Sequence, residues 1–193
     1  TITYHTDQKI KSLISFANHE KLNESGKYWL YVHASNTWGN DKVSFDDRYK
    51  FTEEKLNEFI SYADAPLDNK GWNYADKPME FLNTCLHLKR FNEQGLGYMC
   101  NLPVSMDATC SGLQVLSILM RNRVTASEVN VLPSDKPKSI YTKVAQLVND
   151  DVTIKANQGS REANRWLEFG ITKKIVKRNI MTYVYSLKPY GAR

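Results

Sequence analysis

The chain has 193 residues, of which 41% are hydrophobic and 24% are charged, as in an ordinary globular protein with a core of real size. It contains no run of about 18 apolar residues, so the sequence excludes a membrane-spanning helix. Its three cysteines, Cys85, Cys100 and Cys110, fit no C-x-x-C spacing and favour reduced thiols of an intracellular protein over a disulfide framework or a zinc site. The opening TITYHTDQKIKS has neither a Met nor a signal pattern, which indicates a chain cut from a longer one.

The net charge of +5 is unevenly placed. Residues 161–193 contain eight basic and two acidic residues, whereas the rest of the chain contains 18 basic and 19 acidic residues. Such a concentrated basic segment is expected where phosphates bind, although a solvated helix face has the same composition.

In the first half of the chain, apolar spacing predicts helices over residues 52–63 and 79–91, with Thr52 as a candidate N-cap of the first. The aromatic run YWLYVHASN fits a strand or a helix, and the turn-rich PLDNKGWNYADKP is predicted to be a loop. The pattern as a whole indicates an α+β fold that is richer in helix than in strand.

In the second half, the apolar run at 98–107 predicts an extended segment that ends at Asp107. The turn ATCSG follows, with Thr109 or Ser111 able to cap a helix that runs into the early 120s. The remaining predictions are a helix at 138–150, a polar mobile segment at 151–160 and a long helix at 161–186 that LKPYG ends.

Asp107 is a candidate metal ligand, because a carboxylate at the end of a strand is rigidly held and opens into a cleft. Magnesium prefers oxygen ligands and often takes one or two carboxylates together with substrate phosphates and water. The backbone carbonyl of Ala108 is a natural second ligand. The alternative is that Asp107 simply caps the following helix.

The basic helix carries a second candidate site. Lys173 and Lys177 are four residues apart and project from one side, with Tyr185 bordering the same broad surface. Two lysines can neutralise a triphosphate, and an aromatic ring can stack on a base. Lys174 and Arg178 form a second basic pair, suited to a nucleic-acid backbone. The alternative is an amphipathic helix with its lysines in solvent.

The two segments together resemble the single-subunit DNA-directed RNA polymerases of bacteriophages, mitochondria and mitochondrial plasmids. DATCSGLQVLSILMRN (107–122) resembles the motif A of that family, and Lys173-x-x-x-Lys177 with Tyr185 resembles its motif B. Similarity in the same order also runs through YWLYVHASN, DKVSF, GLGYMCNLP and NVLPSDKPKSIY, and so covers nearly the whole chain.

The resemblance implies part of a right-hand polymerase fold. Residues 1–160 would form part of the palm with adjoining fingers-side helices, and residues 161–193 the basic fingers helix. Asp107 would be one of two carboxylates that bind two Mg²⁺ ions, assisted by the Ala108 carbonyl. The implied partners are a DNA template, an RNA product, nucleoside triphosphates and the remainder of the polymerase, with no membrane. Phage- or plasmid-type enzymes in a host cytoplasm and mitochondrial enzymes both fit.

The resemblance also implies roles for the basic helix. Lys177 would hold the incoming nucleotide and donate a proton to the leaving pyrophosphate, and Lys173 would contact the phosphates. Tyr185 would guard the insertion site and help to distinguish ribose from deoxyribose. Catalysis would rest on metals and lysines rather than on a nucleophilic side chain.

The chain departs from the family pattern at several places. Lys173 replaces a usual arginine, Val115 a common histidine, and Ser186 a usual glycine, which leaves the backbone shape after Tyr185 open. None of the four histidines is followed by aspartate, so the second metal aspartate, which the family carries in a His-Asp-Ser motif, has no counterpart here. We therefore expect these residues alone to be inactive.

Two other readings stay open. One is a DNA polymerase of the related family, against which the run Ser111-Gly112-Leu113-Gln114 argues, because that family commonly carries a glutamate near this point. The other is a nucleic-acid-binding module without catalysis, or one subunit of a split polymerase.

Overall fold

The computed structural model describes residues 12–104, 108–186 and 188. The chain is helix-rich and divides into two compact units, Thr1–Met106 and Asp107–Arg193. Unit 1 has 12 basic and 14 acidic residues, whereas unit 2 has 14 basic and 7 acidic residues. The positive charge of the protein therefore belongs to unit 2. No helix within the described residues is long and apolar enough to cross a membrane.

Unit 1 is built from four α-helices, a short 3₁₀ helix and a two-stranded antiparallel ribbon within its described part. The helices are α1 (Glu24–Trp38), α2 (Phe45–Glu54), α3 (Leu56–Asp64) and α4 (Pro78–Gln94), with the 3₁₀ helix at Lys70–Tyr74. The strands are β1 (Glu20–Lys21) and β2 (Met99–Cys100), which pair Glu20 with Cys100 and Lys21 with Met99.

The run YWLYVHASN is helical and lies within α1. The side chain of Asn23 accepts a hydrogen bond from the N–H of Gly26 at 2.9 Å and so caps the first turn. Gly39 ends the helix with φ of +118°, a conformation that favours glycine. These two capping residues, together with the burial of the second half of α1, explain why the run is a helix and not a strand.

The predicted helix at 52–63 is two helices, because the chain breaks at Lys55 between α2 and α3. Thr52 is not an N-cap. It is fully buried inside α2, and its hydroxyl donates to the carbonyl of Tyr31 at 2.8 Å, which ties α2 to α1. The helix predicted at 79–91 is confirmed as α4.

The core of unit 1 lies between α1, α3 and α4. Phe59 of α3 and Phe81 of α4 are fully buried and meet edge to face with ring centroids 4.8 Å apart. The buried residues that surround them include Leu30, Tyr31, Ala34, Tyr62, Ala63, Cys85, Leu88, Phe91, Tyr98 and Leu102. Apolar burial of this extent is the main source of the stability of unit 1.

Within the described residues, unit 2 consists of α5 (Ser111–Leu119), α6 (Arg123–Glu128), α7 (Ile140–Asn157), α8 (Arg161–Phe169) and α9 (Lys173–Tyr183). The helix predicted at 138–150 is confirmed but continues to Asn157. The prediction of a mobile segment at 151–160 was therefore wrong for most of that range. Its polar residues form the exposed side of a helix, where Lys155 pairs with Asp151 at 2.7 Å.

Two further predictions in unit 2 need correction. The long helix at 161–186 is broken into α8 and α9 by Gly170, whose φ of +81° cannot continue an α-helix. Neither Thr109 nor Ser111 caps α5. Cys110 occupies the N-cap position with φ of +56° and makes no side-chain capping bond. In the described part of the predicted extended segment at 98–107, only β2 pairs with another strand. Asp107 lies outside the described residues.

Candidate functional site

The four cations predicted to bind phosphates and nucleic acid, Lys173, Lys174, Lys177 and Arg178, all lie on α9 and are exposed. Among the described residues, none of them pairs with a carboxylate. The first turn of α9 contains two lysines and no acidic residue. Because the helix dipole is positive at this end, these lysines add to its field instead of balancing it. The start of α9 is therefore suited to an anion.

Lys177 is held by a side chain from another helix. Its Nζ lies 5.7 Å from the ring centroid of Tyr141, which belongs to α7 and is 8% exposed. A buried aromatic ring attracts an ammonium group through its negative face and restricts where that group can be. Tyr141 was missed by the sequence reasoning, although it ends the run NVLPSDKPKSIY that contributed to the resemblance.

The turn that starts α9 is tied to α7 as well. The side-chain amide of Asn149 donates to the carbonyl of Ile171 at 2.9 Å, and Ile171 is buried. This bond offsets the loss of helical hydrogen bonding at Gly170 and fixes the position at which Lys173 begins the helix.

Tyr185 follows α9 in a hydrogen-bonded turn. Its N–H donates to the carbonyl of Thr182 at 3.0 Å, and the N–H of Ser186 donates to the carbonyl of Tyr183 at 3.1 Å. Ser186 has φ of +64°, the left-handed conformation that glycine adopts most readily. Ser186 therefore holds a backbone conformation that favours glycine, and Tyr185 is 69% exposed.

The motif A segment is anchored through polar side chains. Gln114 of α5 donates from Nε2 to the carbonyl of Val129 at 2.7 Å, which joins α5 to the end of α6. The amide of Asn130 donates to the hydroxyl of Thr109 at 2.9 Å and to the carbonyl of Lys138, whose N–H it accepts in return at 2.8 Å. Asn130 has φ of +60°, which asparagine tolerates better than most residues. The loop after Asp107 is thus held in place by Asn130, the first residue of the run NVLPSDKPKSIY, to which the sequence analysis gave no role.

Motifs A and B meet at Gly112. A Cβ atom added to this glycine would lie 2.2 Å from Cγ2 of Val184 and 3.5 Å from the hydroxyl oxygen of Tyr185. The structure therefore brings the start of α5, the helix that follows Asp107, against the turn that carries Tyr185. In the described part of the chain no three His, Cys, Asp or Glu side chains form a metal-binding group.

The DNA-dependent RNA polymerase family model matches residues 20–193. The chain belongs to this family. It is 33% identical over 207 residues to T7 RNA polymerase of Escherichia phage T7, an alignment that covers 95% of this chain and 23% of the phage protein. It is also 34% identical to the mitochondrial DNA-directed RNA polymerase of Schizosaccharomyces pombe and 35% identical to that of Homo sapiens. Each of these two alignments covers 95% of this chain and, in turn, 16% and 15% of the relative.

These matches confirm the resemblance to phage-type and mitochondrial single-subunit RNA polymerases. The chain spans less than a quarter of the length of each of these relatives. The family match covers residues 20–193, and the roles of individual residues stay predictions.

Proposed function

We propose that this chain supplies the nucleotide-binding helix and one metal-binding carboxylate of a template-dependent, DNA-directed RNA polymerase. The observation that carries the proposal is the contact between motif A and motif B at Gly112, beside a helix, α9, whose four exposed cations have no carboxylate partner among the described residues. In this proposal residues 1–160 are part of the palm with adjoining helices of the fingers, and residues 161–193 are the basic helix of the fingers.

The basic side chains of α9 divide into two pairs with different tasks. Lys177, held over Tyr141, binds the triphosphate of the incoming nucleotide and donates a proton to the departing pyrophosphate, while Lys173 contacts the phosphates from the first turn. Lys174 and Arg178 project to a neighbouring side and bind the backbone of the nucleic acid. Lys173 keeps the charge of the usual arginine but presents it as a point charge, which an exposed position next to a flexible triphosphate tolerates.

Asp107 and the backbone carbonyl of Ala108 would hold Mg²⁺ in this proposal. Both are hard oxygen donors, the kind that Mg²⁺ prefers. Proteins often bind Mg²⁺ through only one or two carboxylates, with water and substrate phosphates as the other ligands. Bound metal supplies charge stabilisation at the attacking and leaving oxygens of phosphoryl transfer. A two-metal site needs a second carboxylate, and no His-Asp-Ser motif supplies one among these residues. We therefore expect no turnover from these residues alone.

The partners that follow from the proposal are a DNA template, an RNA product, nucleoside triphosphates and the remaining parts of a polymerase. The relatives come from phages and from mitochondria, so the compartment is either a host cytoplasm or the mitochondrion.

Nucleotide binding tests the proposal directly. We expect the chain to bind ATP in a Mg²⁺-dependent way, and we expect Lys177→Met to weaken ATP binding at least tenfold, because charge-assisted contacts to phosphate contribute about 1.5–3 kcal/mol. Lys174→Met should instead weaken binding of a primed DNA template. Lys155→Met is the matched control, since it removes the same charge from an exposed helix outside the site. If all three variants lose ATP affinity equally, the loss reflects only the change in net charge, and the proposal is contradicted.

The metal role has a separate test. Asp107→Asn should abolish the Mg²⁺ dependence of ATP binding while leaving the α-helical circular dichroism spectrum unchanged. Nucleotide incorporation by the chain on a primed template should stay at background. Sustained incorporation by these residues alone would refute the inference that a second carboxylate is required.

A further inference from the structure

We propose that Gly112 and Val184 are positioning residues for Tyr185, and that their contact sets how the chain selects between ribose and deoxyribose. Because Gly112 has no side chain, Val184 can pack closely against the start of α5. This packing fixes the turn that places Tyr185 beside the same end of α5. The consequence for sugar selection rests on the function proposed above, whereas the positioning itself does not.

The close approach at Gly112 leaves no room for a side chain. An added Cβ would lie 2.2 Å from Cγ2 and 3.1 Å from Cβ of Val184. Valine is branched at Cβ and has few allowed rotamers, so a rotation that moves Cγ2 away leaves its Cβ in place. A methyl group at position 112 therefore displaces the backbone of Val184 or that of α5.

Backbone conformation does not account for glycine at this position. Gly112 lies inside α5 and does not have a positive φ, so any residue could adopt its conformation. Glycine in a helix is destabilising relative to alanine, because it has more conformational freedom to lose on folding. The contact with Val184 is the feature of the structure for which a glycine is needed.

Tyr185 depends on this contact because little else holds it. Its ring is 69% exposed, and its N–H is bonded only locally, to Thr182. Val184, the preceding residue, is half-buried against Gly112. Movement of Val184 is transmitted directly to Tyr185 through one peptide bond. The hydroxyl oxygen of Tyr185 would lie 3.5 Å from the added Cβ, an ordinary van der Waals contact, so the substitution acts on Tyr185 through Val184.

The experiment combines a local probe with a binding measurement on the full 193-residue chain. 3-Fluorotyrosine is incorporated at position 185 alone, and its ¹⁹F NMR signal is recorded without nucleotide for the wild type, Gly112→Ala, Val184→Ala and the double variant. Val115→Ala is the control, because Val115 lies on the same helix and is 55% exposed. Affinities for ATP and dATP are then measured for the unlabelled proteins with Mg²⁺.

We expect Gly112→Ala to shift or broaden the ¹⁹F signal. In the double variant Gly112→Ala/Val184→Ala the signal should return most of the way to its wild-type position and width, and in Val115→Ala it should be unchanged. The preference for ATP over dATP should fall about fivefold in Gly112→Ala, as for the loss of one hydrogen bond, and recover in the double variant. A ¹⁹F signal unchanged by Gly112→Ala, or not rescued by the second substitution, overturns the positioning role.

The two levels of the proposal fail in different ways. A shifted signal with an unchanged ATP-to-dATP ratio would refute the role in sugar selection alone. A wild-type chain that binds neither nucleotide would refute the proposed function, while the ¹⁹F measurement would still decide the positioning role. Should Gly112→Ala not fold, Val184→Ala decides that role, because loss of Cγ2 must alter the signal if Val184 holds the turn.

Discussion

We expect His33 to make unit 1 sensitive to acid. It lies on α1, is 6% exposed and borders a cavity of about 30 Å³ that Ser12, Glu80 and Asn83 also line. Burial, reinforced by the positive charges of Lys77 and His87, lowers the pKa of His33 from its usual value of 6.5 to about 4. Protonation of this imidazole is therefore resisted by the fold.

The sign and size of the effect follow from proton linkage. The unfolded chain binds a proton on His33 near pH 6.5, whereas the folded chain does so only near pH 4. Between these values the unfolded state holds more protons, so stability is full above pH 6.5 and falls as the pH decreases. A difference of this size corresponds to about 3 kcal/mol for one group. The pKa of His87 is also lowered to about 4, chiefly by burial, so a second contribution has the same sign.

The assay is urea unfolding between pH 4 and pH 7, followed by tryptophan fluorescence. Trp166 is the one tryptophan of unit 2, so Trp166→Phe makes fluorescence report unit 1 alone. In that background His33→Gln should remove about half of the stability lost on acidification, because glutamine does not titrate. His19→Gln is the control, since His19 is exposed. Equal acid sensitivity in His33→Gln and its parent, or titration of the His33 imidazole near pH 6.5 by NMR, would refute the reasoning.

Three further predictions concern stability and are measured by urea unfolding. Ser186→Gly should stabilise unit 2 by about 0.5–1 kcal/mol, because glycine adopts φ of +64° without strain, and a loss of stability would count against that conformation. Phe81→Ala should cost about 3–5 kcal/mol through the cavity it leaves in the core, against less than about 0.5 kcal/mol for Leu67→Ala, which is 80% exposed. Asn130→Ala should destabilise unit 2 by about 1–3 kcal/mol, because the hydroxyl of Thr109 and two backbone groups lose a partner, and an unchanged midpoint would contradict this role.

The elements that the sequence predicts well are those whose signals are local. Helix α4 follows from apolar spacing, and the cations of α9 follow from their i,i+4 separation. Where local signals compete, the outcome depends on packing. YWLYVHASN fits both periods, and it is helical because Asn23 caps its start and its buried side lies against the core. The break at Gly170 had a signal, a glycine after an aromatic residue, but the basic and apolar spacing on both sides concealed it.

The long-range contacts within unit 2 are the features that the sequence could not indicate. Tyr141 contacts the side chain of Lys177, Asn130 the hydroxyl of Thr109 and Asn149 the carbonyl of Ile171, across 21 to 36 residues of chain. Such long-range partners have no fixed spacing and become visible only when the helices pack. The motif residues themselves were found by resemblance to the family, and the metal role of Asp107 stays a prediction.

Under the proposed function, the two departures from the family pattern in motif B both keep a physical property that the site would need. Lys173 retains a positive charge at the start of α9, where the helix dipole already favours an anion. Ser186 has a left-handed backbone after Tyr185, at a net cost of about 0.5–1 kcal/mol relative to glycine. A strained residue of this kind persists only where the surrounding structure fixes the turn. Here the surrounding structure includes the contact of Val184 with Gly112, next to the exposed side chain of Tyr185. The strain and the missing side chain at Gly112 therefore have a common explanation in the placement of Tyr185.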